Sequence, residues 1–221
     1  MIVLGIDSST SGCSAALWAG GRVLARRLEL MARGQAEALM PMIAAVMDEA
    51  KLSYRELALI AVTVGPGTFT GIRIGLAAAR GIGLAARLPV AGVVTTEALA
   101  HAVPAAERTG RTVLAAVDAK RAELFAQIFG PSLEALGPPA ARLPETIAAA
   151  VPQALTIVGD GGARLAPLLP GAVLSSAPPV PDAAVVAALA AARWRDGTAL
   201  PPAPLYLRAP DVTLPATGAP A

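Results

Sequence analysis

The chain has 221 residues, of which 55% are hydrophobic and 15% charged. This composition excludes a disordered tail and a charged coiled coil, and the length fits one large domain or two small ones. A formal net charge of +2 and an aromatic content of 3% argue against direct, tight nucleic-acid binding through a charged field or a base-stacking platform.

The first thirty residues predict three antiparallel strands. Apolar runs at 2–6, 13–19 and 23–28 are separated by a polar loop and by a Gly20-Gly21 turn, which is a typical hairpin signal. The polar loop is Asp7-Ser8-Ser9-Thr10. It is either an ordinary turn or a phosphate-binding hairpin in which Asp7 orients a metal ion or water.

Helical periodicity follows over residues 35–50. One apolar stripe of this predicted helix contains Leu39, Met42, Ile43 and Val46, and a second stripe beside it contains Met40 and Met47. A helix that is apolar on more than one side usually has two neighbours. We therefore expect it to contact a second partner besides the core.

A predicted strand over 57–64 leads into the glycine-rich loop Gly65-Pro66-Gly67-Thr68-Phe69-Thr70-Gly71. The loop lacks the Lys-Ser/Thr pair of a Walker A motif, and its glycine spacing differs from the dinucleotide fingerprint. Because a helix is predicted directly after it, the loop either binds an anion or forms a tight structural turn. Arg73, one turn later, could reach back to an anion or a backbone carbonyl.

Small residues recur every four positions along the next predicted helix, 72–86, at Gly71, Gly75, Ala79 and Gly83. Such residues lie on one helical face. Glycine inside a helix costs ~1 kcal/mol relative to alanine. The repeated small residues therefore predict that another element packs closely against this face.

The second half repeats the opening pattern of strand, aspartate and strand, since Asp118 ends an apolar run as Asp7 does, which hints at duplication. A polar break at 104–110 predicts two domains, 1–104 and a smaller 105–221. The further predicted elements are strands at 90–94, 113–117, 124–129 and 155–158, helices at 97–103, 144–151 and 182–195, a tight turn at 159–162 and a frayed proline-rich tail from Pro201.

Residues suited to catalysis are few. Cys13 lies in an apolar strand and is expected to be an inert core residue, and His101 is expected to be partly buried. Asp118 and Glu123 form either a carboxylate pair or a surface ion-pair loop with the basic residues between them. No catalytic residue, metal site or cofactor is assigned. Without a signal peptide or a membrane-spanning run, a cytoplasmic protein without membrane contact is expected.

Five segments together carry a family resemblance: residues 4–10, 13–17, 65–75, 117–121 and 205–208. Through them the chain resembles the TsaB (YeaZ) family of tRNA threonylcarbamoyladenosine biosynthesis proteins. The family often has Ser where this chain has Thr68, and His where it has Gln35. The resemblance implies an α/β, two-domain actin/hexokinase/Hsp70-like ATPase fold, made of duplicated ribonuclease H-like domains, with the second domain reduced.

The resemblance also implies a function. The chain would be a non-catalytic scaffold that pairs with a TsaD-like catalytic paralogue and a TsaE-like ATPase, in a complex that modifies adenosine 37 of tRNA. It would contact tRNA only through the complex and form a homodimer when alone. The paralogue holds its metal with a His-x-x-x-His pair, which a chain with a single histidine cannot supply.

In the family, the helices equivalent to 35–50 and 72–86 pack against the same helices of the partner. The resemblance therefore implies a partner interface, formed by Leu39, Met40, Met42, Ile43, Val46, Met47, Gly75, Ala79 and Gly83. Two alternatives stay open. One is a small ATP-dependent phosphotransferase with Asp7 and the Asp118 loop around ATP, and the other is a glycoprotease, which needs a nucleophile or metal not found in this sequence.

Overall fold

A computed structural model describes residues 1–208 of the chain, which form two five-stranded sheets. The strand order of the first sheet is β3-β2-β1-β4-β5. β1 and β2 pair antiparallel, as do β2 and β3, whereas β4 and β5 extend the sheet in parallel. Its strands are β1 (Ile2–Asp7), β2 (Gly12–Ala19), β3 (Arg22–Leu30), β4 (Leu59–Gly65) and β5 (Val90–Val94).

The second sheet repeats this order as β8-β7-β6-β9-β10, with the same parallel and antiparallel pairs. Its strands are β6 (Thr112–Asp118), β7 (Leu124–Phe129), β8 (Ala140–Arg142), β9 (Leu155–Val158) and β10 (Val173–Leu174). The shared topology agrees with the predicted duplication. β8 and β10 were not predicted, because strands of 3 and 2 residues are too short to show a period of two.

Helices cover both faces of the first sheet. On one face lie α1 (Gln35–Ala50) and α2 (Phe69–Ala86), whose apolar stripes pack on Leu4, Ile6 and Val62. On the other lies α7 (Ala183–Arg195), begun by Asp182, whose carboxylate accepts the Ala184 N–H at 2.9 Å as predicted for an N-cap. The predicted helix of the second half therefore packs on the sheet of the first.

The second sheet has shorter helices. α5 (Pro144–Ala150) and α6 (Gly162–Leu165) lie on one face, and α3 (Thr95–Ala102) lies between the two sheets, contributing Ala98 to one core and Leu99 to another. The short α4 (Ala105–Arg108) follows α3. The predicted domain boundary at 104/105 stays a prediction.

Two predicted boundaries are corrected. α2 begins at Phe69, three residues before its predicted start, because the Thr68 hydroxyl caps it by accepting the Gly71 N–H at 3.1 Å. Residues 201–208 are not frayed, since the Leu205 N–H donates to the Val64 carbonyl at 2.7 Å. The rest of the predicted tail, 209–221, lies outside the described residues.

Most of the predicted partner surface is also corrected. Leu39, Met42, Ile43, Val46 and Met47 of α1 are buried in the chain's own core, as is Ala79 of α2. The small-residue face of α2 packs on the chain's own first sheet and on the loop after β1: a Cβ on Gly75 would lie 2.9 Å from Ser8 Oγ in that loop, and one on Gly83 would lie 2.6 Å from Val90 Cγ2 in β5. Of the predicted set, Met40 is exposed.

By length and composition alone, α2 would pass as a candidate membrane span within the described residues. Core helices pass the same test. Its inner face is packed against β4, as expected for a core helix.

Candidate functional site

Asp7 lies buried at the end of β1, where three donors converge on one of its oxygens. Oδ1 accepts the Ser9 N–H at 3.1 Å, the Ser9 hydroxyl at 2.6 Å and the Thr63 hydroxyl at 2.6 Å, whereas Oδ2 has no partner among the described residues. Burial raises the pKa of Asp7 to about 6, against the lowering effect of these bonds and with a small further rise from the charge of Asp160. The carboxyl therefore gains or loses its proton near pH 6.

The two loops singled out in the sequence pack directly on each other. The Thr68 N–H donates to the Ser9 carbonyl at 2.8 Å, and the Ser8 hydroxyl donates to the Gly71 carbonyl at 2.9 Å. A Cβ on Gly67 would lie 2.2 Å from the Ser9 oxygen, and one on Gly71 would lie 2.1 Å from the Ser8 oxygen. These glycines therefore allow the backbones of the two loops to approach closely. This contact agrees with the interpretation of the glycine-rich loop as a tight structural turn.

Pro66 follows Gly65 through a cis peptide bond, and Gly65 itself has φ of 114°. A Cβ there would lie 2.6 Å from the Leu205 carbonyl oxygen. The positive φ and the close carbonyl both require glycine at this corner between β4 and α2.

A hydrogen-bonded bridge joins the edges of the two sheets. The Ser11 hydroxyl donates to Asp160 Oδ2 at 2.5 Å, and the Asp118 N–H donates to Asp160 Oδ1 at 2.8 Å. Lys120 Nζ lies 3.2 Å from Asp118 and 3.8 Å from Asp160, and Arg164 lies 3.3 Å from Asp118. The loops that would flank a ligand between the sheets are thus bonded to each other.

The charges of this bridge are balanced locally. Partial burial alone would raise the pKa of Asp118, but the Lys120 N–H, the Lys120 ammonium and Arg164 outweigh it and hold that pKa below its usual value. Glu123 pairs instead with Arg208, at 3.6 Å. The ion-pair interpretation of this loop is therefore confirmed, and the Asp118–Glu123 carboxylate pair is wrong.

Arg73 contacts aromatic rings, where an anion or a backbone carbonyl was expected. Its guanidinium lies 3.6 Å from the ring centroid of Phe69, and its Nε donates to the Tyr206 hydroxyl at 3.0 Å. The two rings are themselves in contact, with centroids 5.1 Å apart. The side chain therefore ties the start of α2 to residues 201–208.

The remaining candidates behave as expected from the sequence. Cys13 is fully buried, and burial raises the pKa of its thiol to about 12, so a reactive thiolate does not form near neutral pH. His101 is half-buried, and burial lowers its pKa. Within residues 1–208, no three His, Cys, Asp or Glu side chains are grouped as metal ligands.

The outward sides of α1 and α2 carry exposed apolar residues among charged ones, and we call these apolar residues together the outer face. Its largest members are Leu84, which is 85% exposed, and Met40, which is 46% exposed. α1 and α2 contact each other, so that their exposed sides are adjacent. Small exposed residues complete the outer face: Ala36, Pro41, Ala44, Ala77, Gly81 and Ala85.

Sequence reasoning missed three members of these polar clusters: Ser11, Thr63 and Asp160. Thr63 interrupts an otherwise apolar strand, and this lone polar residue was the available signal. Asp160 was interpreted only as a turn residue. Its contact with Ser11 spans 149 positions, and no local pattern indicates such a pair.

Comparison with known proteins places this arrangement in a family. Residues 29–158 match the family model for TsaD, tRNA N6-adenosine threonylcarbamoyltransferase. TsaB of Escherichia coli is 39% identical over 57% of this chain and 53% of its own length, so the match spans about half of that relative. An uncharacterized protein of Mycobacterium tuberculosis is 32% identical over 95% of this chain and 92% of its own length.

The structural comparisons agree. A Pseudomonas aeruginosa protein described as similar to the peptidase YeaZ superposes with a TM-score of 0.77 at 30% identity, covering 94% of this chain and 99% of its own. The ADPNP-bound dehydratase activator of Clostridium difficile superposes with a TM-score of 0.56 at 9% identity over 89% of this chain, a likeness that shows the fold alone. These matches confirm the actin/hexokinase/Hsp70-like ATPase fold. The chain therefore belongs to the TsaB (YeaZ) family.

Proposed function

We propose that the chain is a non-catalytic subunit of the machinery that forms threonylcarbamoyladenosine at position 37 of tRNA. In this proposal it pairs with a TsaD-like catalytic subunit, is joined by a TsaE-like ATPase, and contacts tRNA only through the complex. It works in the cytoplasm and self-associates when alone. Its relative from Escherichia coli is a tRNA threonylcarbamoyladenosine biosynthesis protein.

The observation that carries the scaffold role is the outer face of α1 and α2. Leu84 is 85% exposed near the end of α2, beside the exposed Gly81 and Ala85, and exposed apolar surface of this kind promotes association. The small exposed residues Ala77, Gly81 and Ala85 on the same side of α2 leave room for another helix to approach. The face thus fits a partner that offers helices of its own.

A second observation supports the non-catalytic part. The polar groups at the meeting point of the two sheets are engaged with each other, through the Ser11–Asp160 bond and the Lys120 ion pairs. A phosphotransferase would need these groups available for its nucleotide and metal ion. This arrangement favours a subunit that supplies an interface over one that supplies reacting groups.

The interface is tested by co-purification with the TsaD-like protein of the same cell, followed by a tRNA modification assay of the reconstituted complex. Leu84→Glu places a charge on the outer face without entering the core, and loss of at least about tenfold in partner affinity is expected. The matched control is Leu174→Glu, at a residue of β10 that is 55% exposed, which should bind normally. Undiminished binding and activity of Leu84→Glu would contradict the proposed interface.

The non-catalytic role is tested separately by Asp7→Asn. The variant keeps the acceptor oxygen for Ser9 and Thr63, so the fold should persist. Modification activity of the complex should stay within about an order of magnitude, whereas loss of a general acid or base costs ~10²–10⁴-fold. A loss of that size in a folded variant that still binds its partner would show that Asp7 takes part in the chemistry.

A further inference from the structure

An apolar groove of about 440 Å³ lies on one face of the second sheet. β6 and β7 form its floor with Leu114, Ala126 and Ile128, Ile147 of α5 forms one wall, and Leu136 of the β7–β8 loop lies at another. Within the described residues the groove is open to solvent, because β8 contains 3 residues and α5 contains 7. Elements of this length leave apolar strand surface without a cover.

The polar groups of the groove favour a peptide segment over a small molecule. Gln127 lines the groove, but its Oε1 accepts the Thr96 hydroxyl and its Nε2 donates to the Gly137 carbonyl at 2.9 Å. Small-molecule sites usually have several polar groups that converge on the ligand. This groove offers mainly apolar surface, which suits the alternate side chains of an extended segment.

The described part of the chain ends close to this groove. Arg208 Nε lies 3.6 Å from the carboxylate of Glu123, which directly precedes β7, and Leu207 packs in the core on the opposite face of the second sheet. Arg142 of β8, which lines the groove, is the register partner of Leu124 in β7. The chain therefore leaves the described residues about one strand away from the edge of the groove.

The next residues are long enough to enter the groove. From Arg208 the chain has to pass the outer edge of β8, which is the last strand of the sheet. Neighbouring strands are ~5 Å apart, and six extended residues span up to ~20 Å. Residues 209–214 can therefore pass this edge and reach the groove beside Ala140 and Arg142.

The sequence after Arg208 also matches the groove chemically. Among residues 209–221 the large apolar side chains are Val212 and Leu214, and Asp211 next to them is the single charged side chain. On an extended backbone, residues two apart point to the same side. Arg142 is exposed and has no ion pair within residues 1–208, so that its charge is available to Asp211.

We propose that residues 211–214 of the same chain occupy this groove, with Val212 and Leu214 on its apolar floor and Asp211 beside Arg142. The segment would complete the cover of the second sheet that the short helices leave open. This inference goes beyond the proposed function and does not depend on it, because the groove lies in the second half and the proposed partner interface lies on α1 and α2.

Docking is tested on the full chain by its cleavage with elastase, a protease that cuts after small aliphatic residues such as Val212. Leu136→Glu places a charge at the groove, at a residue that is 60% exposed, so the fold should persist. Cleavage within 209–221, followed by mass spectrometry, should become about fivefold faster, because proteolysis reports the undocked population. The matched control is Leu174→Glu, at a leucine of β10 that is 55% exposed, which should be cleaved at the parental rate. Equal rates for the two variants overturn the proposal.

The ion pair is tested by exchanging its charges. Arg142→Glu and Asp211→Arg should each speed cleavage about two- to fivefold, and the double variant should return towards the parental rate. Restoration in the double variant also separates the pair from any direct effect of residue 211 on the protease. A double variant that is cleaved as fast as either single variant contradicts the assignment of Asp211 to Arg142.

The concentration of the protein distinguishes the occupants. If the segment belongs to the same chain, the cleavage rate and the effect of Leu136→Glu should not change when the protein is diluted. Protection that is lost on dilution would mean that the segment of a second copy fills the groove, which overturns the assignment within one chain. A groove that receives a different molecule would leave the cleavage of 209–221 equal in the parental chain and in Leu136→Glu, which also overturns it.

Discussion

The two sheets share one strand order but are covered by helices of very different length. In the first half, α1 and α2 contain 16 and 18 residues, whereas α5 and α6, which follow the corresponding strands of the second half, contain 7 and 4. The short helices cover the second sheet incompletely, and an apolar groove of about 440 Å³ lies between β7, β8 and α5. The long helices help to bury β1, β2 and β4 and still present the outer face to solvent.

In both halves, a glycine with positive φ follows the corresponding strand. Gly65 at the end of β4 and Gly159 after β9 have φ of 114° and 107°, and each lies against a carbonyl oxygen that excludes a Cβ. The corresponding aspartates, however, differ: Asp7 is buried beside hydroxyls, and Asp118 is partly buried beside two cations. Duplication therefore kept the strand framework, while burial and charge diverged at the loops.

The largest expected effect comes from comparing a fully buried position of α2 with an exposed position of α5. Ala79→Glu places a carboxylate at a fully buried position of α2 and should lower the free energy of unfolding by about 3–5 kcal/mol, since nothing nearby pairs with it. Urea denaturation measures this. Ala149→Glu, on the exposed side of α5, should change stability by less than about 0.5 kcal/mol. A folded, stable Ala79→Glu would show that this face is not core.

The second prediction compares how Asp7 and Asp118 make the stability of the fold depend on pH. Because the pKa of Asp7 is about 6 in the folded chain and 3.8 in its ordinary state, the folded state holds an extra proton between these values. Stability should therefore fall as pH rises from about 4 to about 6, by roughly 2–3 kcal/mol, and Asp7→Asn should remove this fall. Denaturation midpoints measured across that range test it, and parallel curves for the two proteins would refute the assignment.

Asp118 should show the opposite sign. Its pKa is lowered in the folded chain, so the stabilisation that it contributes is present above its ordinary pKa and is lost as pH falls through the folded value. Asp118→Asn should therefore lower stability near neutral pH and converge with the wild type in acid. Convergence at neutral pH instead would mean that the Lys120 and Arg164 contacts contribute nothing.

A smaller effect is expected at the close contact of α2 with its own sheet. Gly83→Ala introduces a Cβ 2.6 Å from Val90 Cγ2 and 3.1 Å from the Leu88 carbonyl oxygen. Stability should fall by about 1–3 kcal/mol, as for other overpacked sites. Thermal unfolding measures the change. An unchanged midpoint would mean that α2 can shift away from β5 without loss.

The smallest effect has the opposite direction and lies two residues away. Gly81 of α2 is exposed, and a Cβ there would meet nothing within 4 Å. Gly81→Ala should raise stability by about 0.5–1 kcal/mol, because alanine favours the helix. The same thermal measurement checks it on the isolated chain, and a lowered midpoint would indicate an unrecognised contact on the outer face.

Local sequence patterns predicted the strands of the first sheet, α1, most of α2 and the cap of α7, because periodicity and capping depend on residues that are close together in the sequence. The close packing of the small-residue face of α2 was also predicted, but the element that packs against it was not. Gly75 and Ala79 suit an approaching sheet as well as an approaching partner helix, and only the three-dimensional structure distinguishes the two.

The candidate site was predictable only in part. The loops at Asp7 and Gly65 stood out by composition, but the Ser11–Asp160 bond joins loops that belong to different halves of the chain, and Arg73 contacts Tyr206 across 133 positions. Contacts of this kind depend on how the sheets are placed, and no spacing within either segment indicates them.

The position of α7 bears on how the chain is made. A face of the first sheet, with Val3, Leu59 and Ala61, is covered by residues 183–195. During translation these strands leave the ribosome more than a hundred residues before the helix that covers them. During synthesis, one apolar side of the first sheet therefore stays uncovered until residues 183–195 have been translated.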